Sequence, residues 1–304
     1  MFLYGSFSTW SLRLNMTDIK RNYLLLASLI MIWGSSFLLT DRSLLFFTPE
    51  QVVTYRLTIG ALSMLVISII YSKRLLVSIR TWFHFSIYAV IGNILPYLLI
   101  SVGQTSITSG MAGLLMAVMP LVTIVLAHFF LPDDKLNIFK IFGFILGISG
   151  VIFILAPSIT NGSNSTFGIF LVLAAACSYS VNTIIAAKLT SYDPIVSSTC
   201  VLILASLISF IIWPETLQFT FSDIPLLSGT SIVLLGILPT GIAAFIYFII
   251  INSAGATFLS NINYLIPVVA FFLGALLLGE ELLIQNIIAL IFIISGIFIS
   301  RKNS

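Results

Sequence analysis

Ile94-Leu95-Pro96, followed by Tyr97, returns near the other end of the chain as Ile237-Leu238-Pro239, followed by Thr240. Working outward from this pair, Pro120 returns as Pro267, Asp133-Asp134 as Glu280-Glu281, and Ser149-Gly150-Val151 as Ser295-Gly296-Ile297. The offsets run from 143 to 147 residues, close to half of the 304. A repeat of that length inside an almost uncharged polypeptide indicates a duplicated membrane bundle. If each copy crosses the bilayer an odd number of times, the two copies lie upside down relative to one another.

Composition makes lipid the solvent. Hydrophobic residues form 59% of the chain and charged residues 8%, whereas soluble domains carry about 25% charged residues. A spanning helix needs about 20 mostly apolar residues. Ten such runs are expected, over 22–40, 51–71, 82–103, 107–130, 137–156, 168–187, 195–213, 227–251, 257–278 and 283–300. They are numbered span 1 to span 10. The fold class is therefore an all-α integral membrane protein of ten transmembrane helices, arranged as two inverted five-helix repeats. The first repeat covers 22–156 and the second 168–300, with an outer linker over 157–167 and tails over 1–21 and 301–304. Met16 is the expected true start, because residues 1–15 are unlike the rest.

Positive charge sets the orientation. With the N-terminus inside, the inner loops hold Arg13, Lys20, Arg21, Lys73, Arg74, Arg80, Lys135, Lys140, Lys188, Arg301 and Lys302, while the outer loops hold only Arg42. Both termini are expected in the cytoplasm. The net charge of +3 thus reports topology, and no nucleic-acid partner is expected.

The motifs taken in order resemble the drug/metabolite transporter superfamily, specifically its ten-span EamA-type members. The resemblance covers nearly all of residues 22–300. In the first repeat it rests on Trp33-Gly34-Ser35-Ser36-Phe37, on Pro49 with Arg56, on Ser109-Gly110-Met111-Ala112-Gly113 leading to Pro120, and on Gly143, Gly147 and Gly150. In the second it rests on Gly255-Ala256, Tyr264-Leu265-Ile266-Pro267-Val268 and Leu278-Gly279-Glu280-Glu281. It implies a polytopic exporter of small metabolites in the bacterial inner membrane. The chain departs from the pattern at the end of span 4, where Asp133-Asp134 stands in place of a glutamate and keeps the charge.

Pro96 and Pro239 lie well inside spans 3 and 8. Each removes a backbone donor and clashes with the carbonyl four residues earlier, and matched helix breaks in two repeats mark a midplane substrate site. Polar groups in hydrocarbon need partners or a wet cavity. Ser101, Gln104, Asn182, Asn252, Asn261 and Asn263 concentrate in spans 3, 6, 8 and 9, while spans 2, 5 and 10 are nearly pure hydrocarbon and are expected to face lipid. The candidate cavity residues are Trp33, Asn93, Tyr97, Gln104, Asn182, Tyr247, Asn263 and Tyr264, with Tyr179 as a further aromatic surface. For any one of the amides, a plain interhelical hydrogen bond competes with a role toward solute.

Arg56 is the one basic residue inside an apolar run. Five residues into span 2, it is expected near the outer face in a charge cluster with Asp41 and Glu280, as a structural clamp in preference to a substrate anchor. The acidic residues mark helix ends or tails. Proton exchange on a carboxylate deep in span 1, which the small multidrug members of the superfamily use, is therefore disfavoured.

A neutral, aromatic, amide-lined path suits zwitterionic or amphipathic solutes, with amino acids first. Efflux of drugs or cations is the alternative. An intramembrane enzyme is remote, because no clustered catalytic groups are seen. No cofactor or metal is expected. The Gly143–Gly147 pair is read as packing within the bundle, so the expected unit is a functional monomer whose partners are a small-molecule substrate and the lipid bilayer.

Overall fold

A computed structural model of the protein describes residues 16–131, 136–160, 165–188, 193–218, 223–259 and 262–300. The expected Asp133-Asp134 motif, Asn261 and the C-terminal tail fall outside these residues, as do the side chains of Asn252 and Tyr264.

Among the described residues ten helical spans form, several of them built from pieces. Span 1 is Met16–Gly34 and Ser36–Leu44, interrupted at Ser35. Span 2 is Pro49–Ile70. Span 3 joins Ile79–Ala89 to Leu95–Gly103 through a π-helical turn at Val90–Ile94. Span 4 joins Ser109–Leu115 to Met119–Phe130 through a 3₁₀ turn at Met116–Val118, just before Pro120. Spans 5, 6 and 7 are Ile138–Thr160, Ser165–Lys188 and Pro194–Ile212. Span 8 joins Leu226–Leu235 to Ala243–Leu259 through a π-helical segment at Gly236–Ile242. Span 9 is Ile262–Leu273 with a π-helical end at Gly274–Leu278, and span 10 is Ile284–Ser300. Seven of the spans are long and apolar enough to cross a bilayer by length and composition, and spans 5, 9 and 10 contribute shorter apolar stretches.

Local chemistry sets the boundaries. Thr48 and Gln51 form a reciprocal capping box ahead of Pro49 at the start of span 2, satisfying two otherwise orphaned donors. Asp193 accepts from the N–H groups of Ile195 and Val196 ahead of Pro194. Gly279 ends span 9 with φ +72°, a left-handed conformation that glycine adopts without a Cβ clash.

One expected boundary shifts. Span 8 runs on through Gly255 to Leu259, beyond the break expected after residue 251. Burial explains the extension. Ile250 and Leu259 join the cluster that packs on Leu26, Leu29 and Ile30 of span 1, and Ser253 donates to Asn22 Oδ1 at 2.9 Å. Tertiary packing overrides the weak helix propensity of Gly255.

The packing is reciprocal between repeats. Spans 2 and 7, 4 and 9, and 5 and 10 pack against their own counterparts; spans 1 and 8, 1 and 9, and 2 and 8 are matched by spans 6 and 3, 6 and 4, and 7 and 3. This is the pattern of two five-span units related by a pseudo-twofold axis. With five crossings each, the units are inverted. The exterior carries exposed Ile69, Phe142, Ile211, Leu276 and Phe298, a surface suited to hydrocarbon.

Spans 5 and 10 make the most extensive contact in the bundle. Gly143 and Gly147 face Gly296 there, so this glycine pair packs within the chain. Span 2 fills its expected lipid-facing place only in part: it exposes Leu62, Val66, Ile69 and Ile70, but it is also wedged between spans 7 and 8 and buries Val52, Val53, Arg56, Leu57 and Met64.

At the face that carries the start of span 1, Lys73 Nζ reaches Asp193 Oδ2 at 2.6 Å, tying the loop after span 2 to the start of span 7. Partial burial raises the Asp193 pKa, but the bonds from Lys73, Val196 and Ile195 outweigh it and hold the carboxyl below its ordinary value. A depressed carboxylate stabilises the fold above its unfolded pKa of about 3.9 and loses that contribution as pH falls through its folded pKa. Asp193→Asn is therefore expected to cost stability at pH 7, with wild type and variant converging below about pH 3. Both side chains are over one-third exposed, so screening limits the ion pair to about 1 kcal/mol or less. Thermal melts of both proteins across pH check this.

Candidate functional site

Backbone carbonyls at the two proline breaks accept from side chains, two of them from the same span and two from spans 1 and 6. Pro239 denies the Leu235 carbonyl its α-helical donor, the helix widens to a π segment from Gly236, and Thr240 Oγ1 also donates to that carbonyl at 3.0 Å. Trp33 Nε1 of span 1 donates to the Pro239 carbonyl at 3.0 Å. In span 3 the carbonyl of Ile91 accepts from Ser178 Oγ of span 6 at 2.7 Å, and that of Tyr88 accepts from Asn93 Nδ2 at 3.2 Å. The breaks are thus held open by spans 1 and 6, the first helix of each repeat. Irregular backbone at membrane depth is tolerated only where protein or a cavity satisfies it.

Arg56 stands between the two breaks. Its Nε donates to Thr240 Oγ1 at 3.3 Å, and its Cζ lies 3.6 Å from the centre of the Tyr97 ring. Tyr97 and Thr240 are the residues that follow Pro96 and Pro239. Tyr97 meets Tyr179 of span 6 edge to face, with ring centres 6.4 Å apart. On the other side Trp33 meets Tyr247, with centres 5.9 Å apart. One polar and aromatic chain therefore crosses the bundle through spans 6, 3, 2, 8 and 1. Small residues permit it. A Cβ at Gly60 would stand 2.5 Å from Thr240 Cγ2, and one at Gly236 2.5 Å from Ile59 Cβ, so spans 2 and 8 meet nearly backbone to backbone.

The expected outer charge cluster does not form as a triad. Arg56 is 96% buried and its partners are Thr240 and Tyr97, with no carboxylate of a described residue in ion-pair range. Asp41 and Glu280 do share a site. They line a depression of about 390 Å³ on the face opposite the start of span 1, together with Arg42, Gln104, Thr108 and Met111. Glu280 is already committed: Oε1 accepts from the Ser109 N–H and Oε2 from the Gly110 N–H, both at 2.8 Å. It caps the start of span 4, where the helix dipole favours a negative charge.

The remaining candidates separate by role. Trp33, Tyr97 and Tyr247 are on the central chain. Asn182, three residues after Tyr179, stands against Gly92 of the span 3 break and leaves Oδ1 buried without a partner. Gln104 lies toward the Glu280 face and donates to the Phe37 carbonyl at 2.9 Å. Asn93 bonds within its own helix, and Asn263 is half-buried near the start of span 9. Thr240 was legible as a polar neighbour of Pro239, but its contact with Arg56 was not. Among the described residues, no group of three His, Cys, Asp or Glu side chains could hold a metal.

Comparison with known proteins gives a consistent picture. A family model described as "EamA-like transporter family" matches residues 20–156 and again residues 166–301. The chain is 26% identical over 282 residues to the "Uncharacterized transporter YoaV" of Bacillus subtilis, covering 90% of this chain and 94% of that one. It is also 26% identical over 283 residues to an "Uncharacterized transporter" of Archaeoglobus fulgidus, covering 92% and 98%. A solved crystal structure superposes with a TM-score of 0.65 at 20% identity, over 93% of this chain and 96% of the other; at that identity the likeness speaks for the fold alone.

Proposed function

The chain belongs to the EamA-like transporter family, and from that premise we propose that it exports small metabolites, amino acids first among them, by exposing a central site to each side in turn. The observation that carries this reading is the matched pair of π-helical breaks at Pro96 and Pro239, with Arg56 bridging the residues that follow them. A π turn is a local surplus of backbone that a helix can lose or relocate. Two such turns related by the internal repeat provide hinges for rocking one repeat, near 22–156, against the other, near 168–300. The skew of Lys and Arg supports a cytoplasmic N- and C-terminus in a bacterial inner membrane. The glycine seam between spans 5 and 10 is satisfied within one chain, which supports a monomer as the working unit.

Efflux of cationic drugs is the weaker reading. The aromatic lining would favour it, but a buried cation in the central chain repels a cationic solute.

Counterflow in liposomes tests the proposal. Vesicles preloaded with unlabelled amino acids are expected to accumulate labelled amino acid transiently, with no ion gradient. Trp33→Phe keeps an aromatic ring but removes the indole N–H bond to the Pro239 carbonyl, at a cost of about 0.5–1.5 kcal/mol to the hinge, and should slow counterflow by up to about tenfold. Absence of counterflow from folded protein removes amino acids as the substrate class.

A further inference from the structure

We propose that Arg56 is the anchor for a single carboxylate carried by the solute. The inference deepens the transporter reading and rests on it for its consequence. The charge of an arginine residue that is 96% buried in a bundle surrounded by hydrocarbon is costly unless something offsets it. Among the described residues the compensation is partial, one hydroxyl acceptor on Nε and the face of one ring. Neither terminal nitrogen, Nη1 or Nη2, has a partner among the described residues. Neither is sealed, since the buried polar atoms without partners include Asn182 Oδ1 and Ser101 Oγ but no atom of Arg56. What remains open is the pair of parallel N–H donors that matches the two oxygens of a carboxylate.

The neighbours fix the orientation of that fork. Tyr97 covers one face of the guanidinium plane, and Thr240 holds the Nε edge. The carboxylate must therefore approach along the Nη edge. Because Tyr97 and Thr240 each follow a proline break, an anion bound there touches the hinge of both repeats through one side chain. The repeat does not supply a second cation. Positions 199–203, where the offsets place the counterpart of Arg56, read Thr199-Cys200-Val201-Leu202-Ile203. One fixed positive charge suits a monoanionic carboxylate, free or within a zwitterion, and not a phosphate ester of higher charge.

Thermal unfolding of the purified full chain, at constant ionic strength, tests this with benzoate and its neutral isostere benzamide. Benzoate is expected to raise the melting temperature by about 2–4 °C once it is several-fold above its Kd, and benzamide is not. Arg56→Gln should abolish the benzoate shift. Arg56→Lys keeps the charge but loses the fork, and should weaken benzoate at least several-fold, which serves if the glutamine variant does not fold. Equal shifts from benzoate and benzamide, a benzoate shift that survives in both variants, or no shift in the wild type overturns the assignment. The two readings fail separately. An Arg56-dependent benzoate shift without amino-acid counterflow sinks the amino-acid reading and leaves the anion site; counterflow that persists in Arg56→Gln without a benzoate shift does the reverse.

Discussion

Glu280→Ala is expected to release the start of span 4 and destabilise the protein by about 2–4 kcal/mol. The Glu280 carboxylate accepts two backbone N–H groups, those of Ser109 and Gly110, at 2.8 Å each. Hydrogen bonds to a charged group contribute about 1.5–3 kcal/mol each, and the helix terminus adds a favourable dipole. The contact also crosses between repeats, from the end of span 9 to the beginning of span 4. Backbone shape protects it. A Cβ at Gly274 would stand 2.4 Å from Glu280 Oε2, and one at Gly110 2.8 Å from the same atom, so glycine on both sides lets the carboxylate reach in. Glu280→Gln retains one acceptor oxygen and should lose about half as much. Melting curves of the three proteins in one detergent give the ranking. If alanine and glutamine variants both melt with the wild type, Glu280 is not a fastener. Glu280 lines the depression together with Asp41 and Thr108. The cysteine of Thr108→Cys should therefore react faster with a water-soluble thiol reagent when Glu280→Ala is also present.

The second large effect is expected at the seam of spans 5 and 10. A Cβ on Gly143 would lie 2.3 Å from the carbonyl oxygen of Gly296, and one on Gly296 would lie 2.4 Å from the carbonyl oxygen of Gly143. Both obstacles are backbone, which cannot turn aside as a side chain can. Valine at either position must push the two helices apart along the most extensive contact in the bundle. Overpacking of a tight core costs about 1–3 kcal/mol; with backbone in the way, about 3 kcal/mol or more is expected. Gly147→Ala offers the contrast. Its Cβ would meet Leu121 Cδ1 at 2.0 Å, the far end of a flexible side chain, so a rotamer change can absorb it. The order Gly143→Val and Gly296→Val well below Gly147→Ala is read from melting temperature and from the monodisperse fraction on size exclusion. A valine variant as stable as wild type would mean that the seam can open.

The repeat, the ten spans and the positions of the two breaks were legible in the chain because each is a local property. Length and apolarity define a span, and a proline breaks the helix it sits in. The glycine pair was legible for the same reason, since only small residues allow backbones to touch. The Asp41–Arg56–Glu280 cluster is not formed because the partners of Arg56 and Glu280 lie on other spans, Thr240 and Tyr97 for the first and the Ser109 and Gly110 N–H groups for the second. Arg56 meets Thr240 across 184 residues of sequence, and nothing in either local stretch announces the other. The extension of span 8 to Leu259 was hidden likewise, because it depends on burial against span 1.

From sequence alone, then, come the solvent, the number of crossings, the inversion and the places where helices must break. The tertiary structure alone decided which side chains fill those breaks: Trp33 on the Pro239 carbonyl, Ser178 on that of Ile91, and Arg56 between Tyr97 and Thr240. The physical reason is the bilayer. In water, an amphipathic stripe reveals which face of a helix turns inward. In lipid both faces are apolar, and helices choose partners by steric fit and by scarce polar contacts. Those choices are made between spans, so they are settled only when the spans meet.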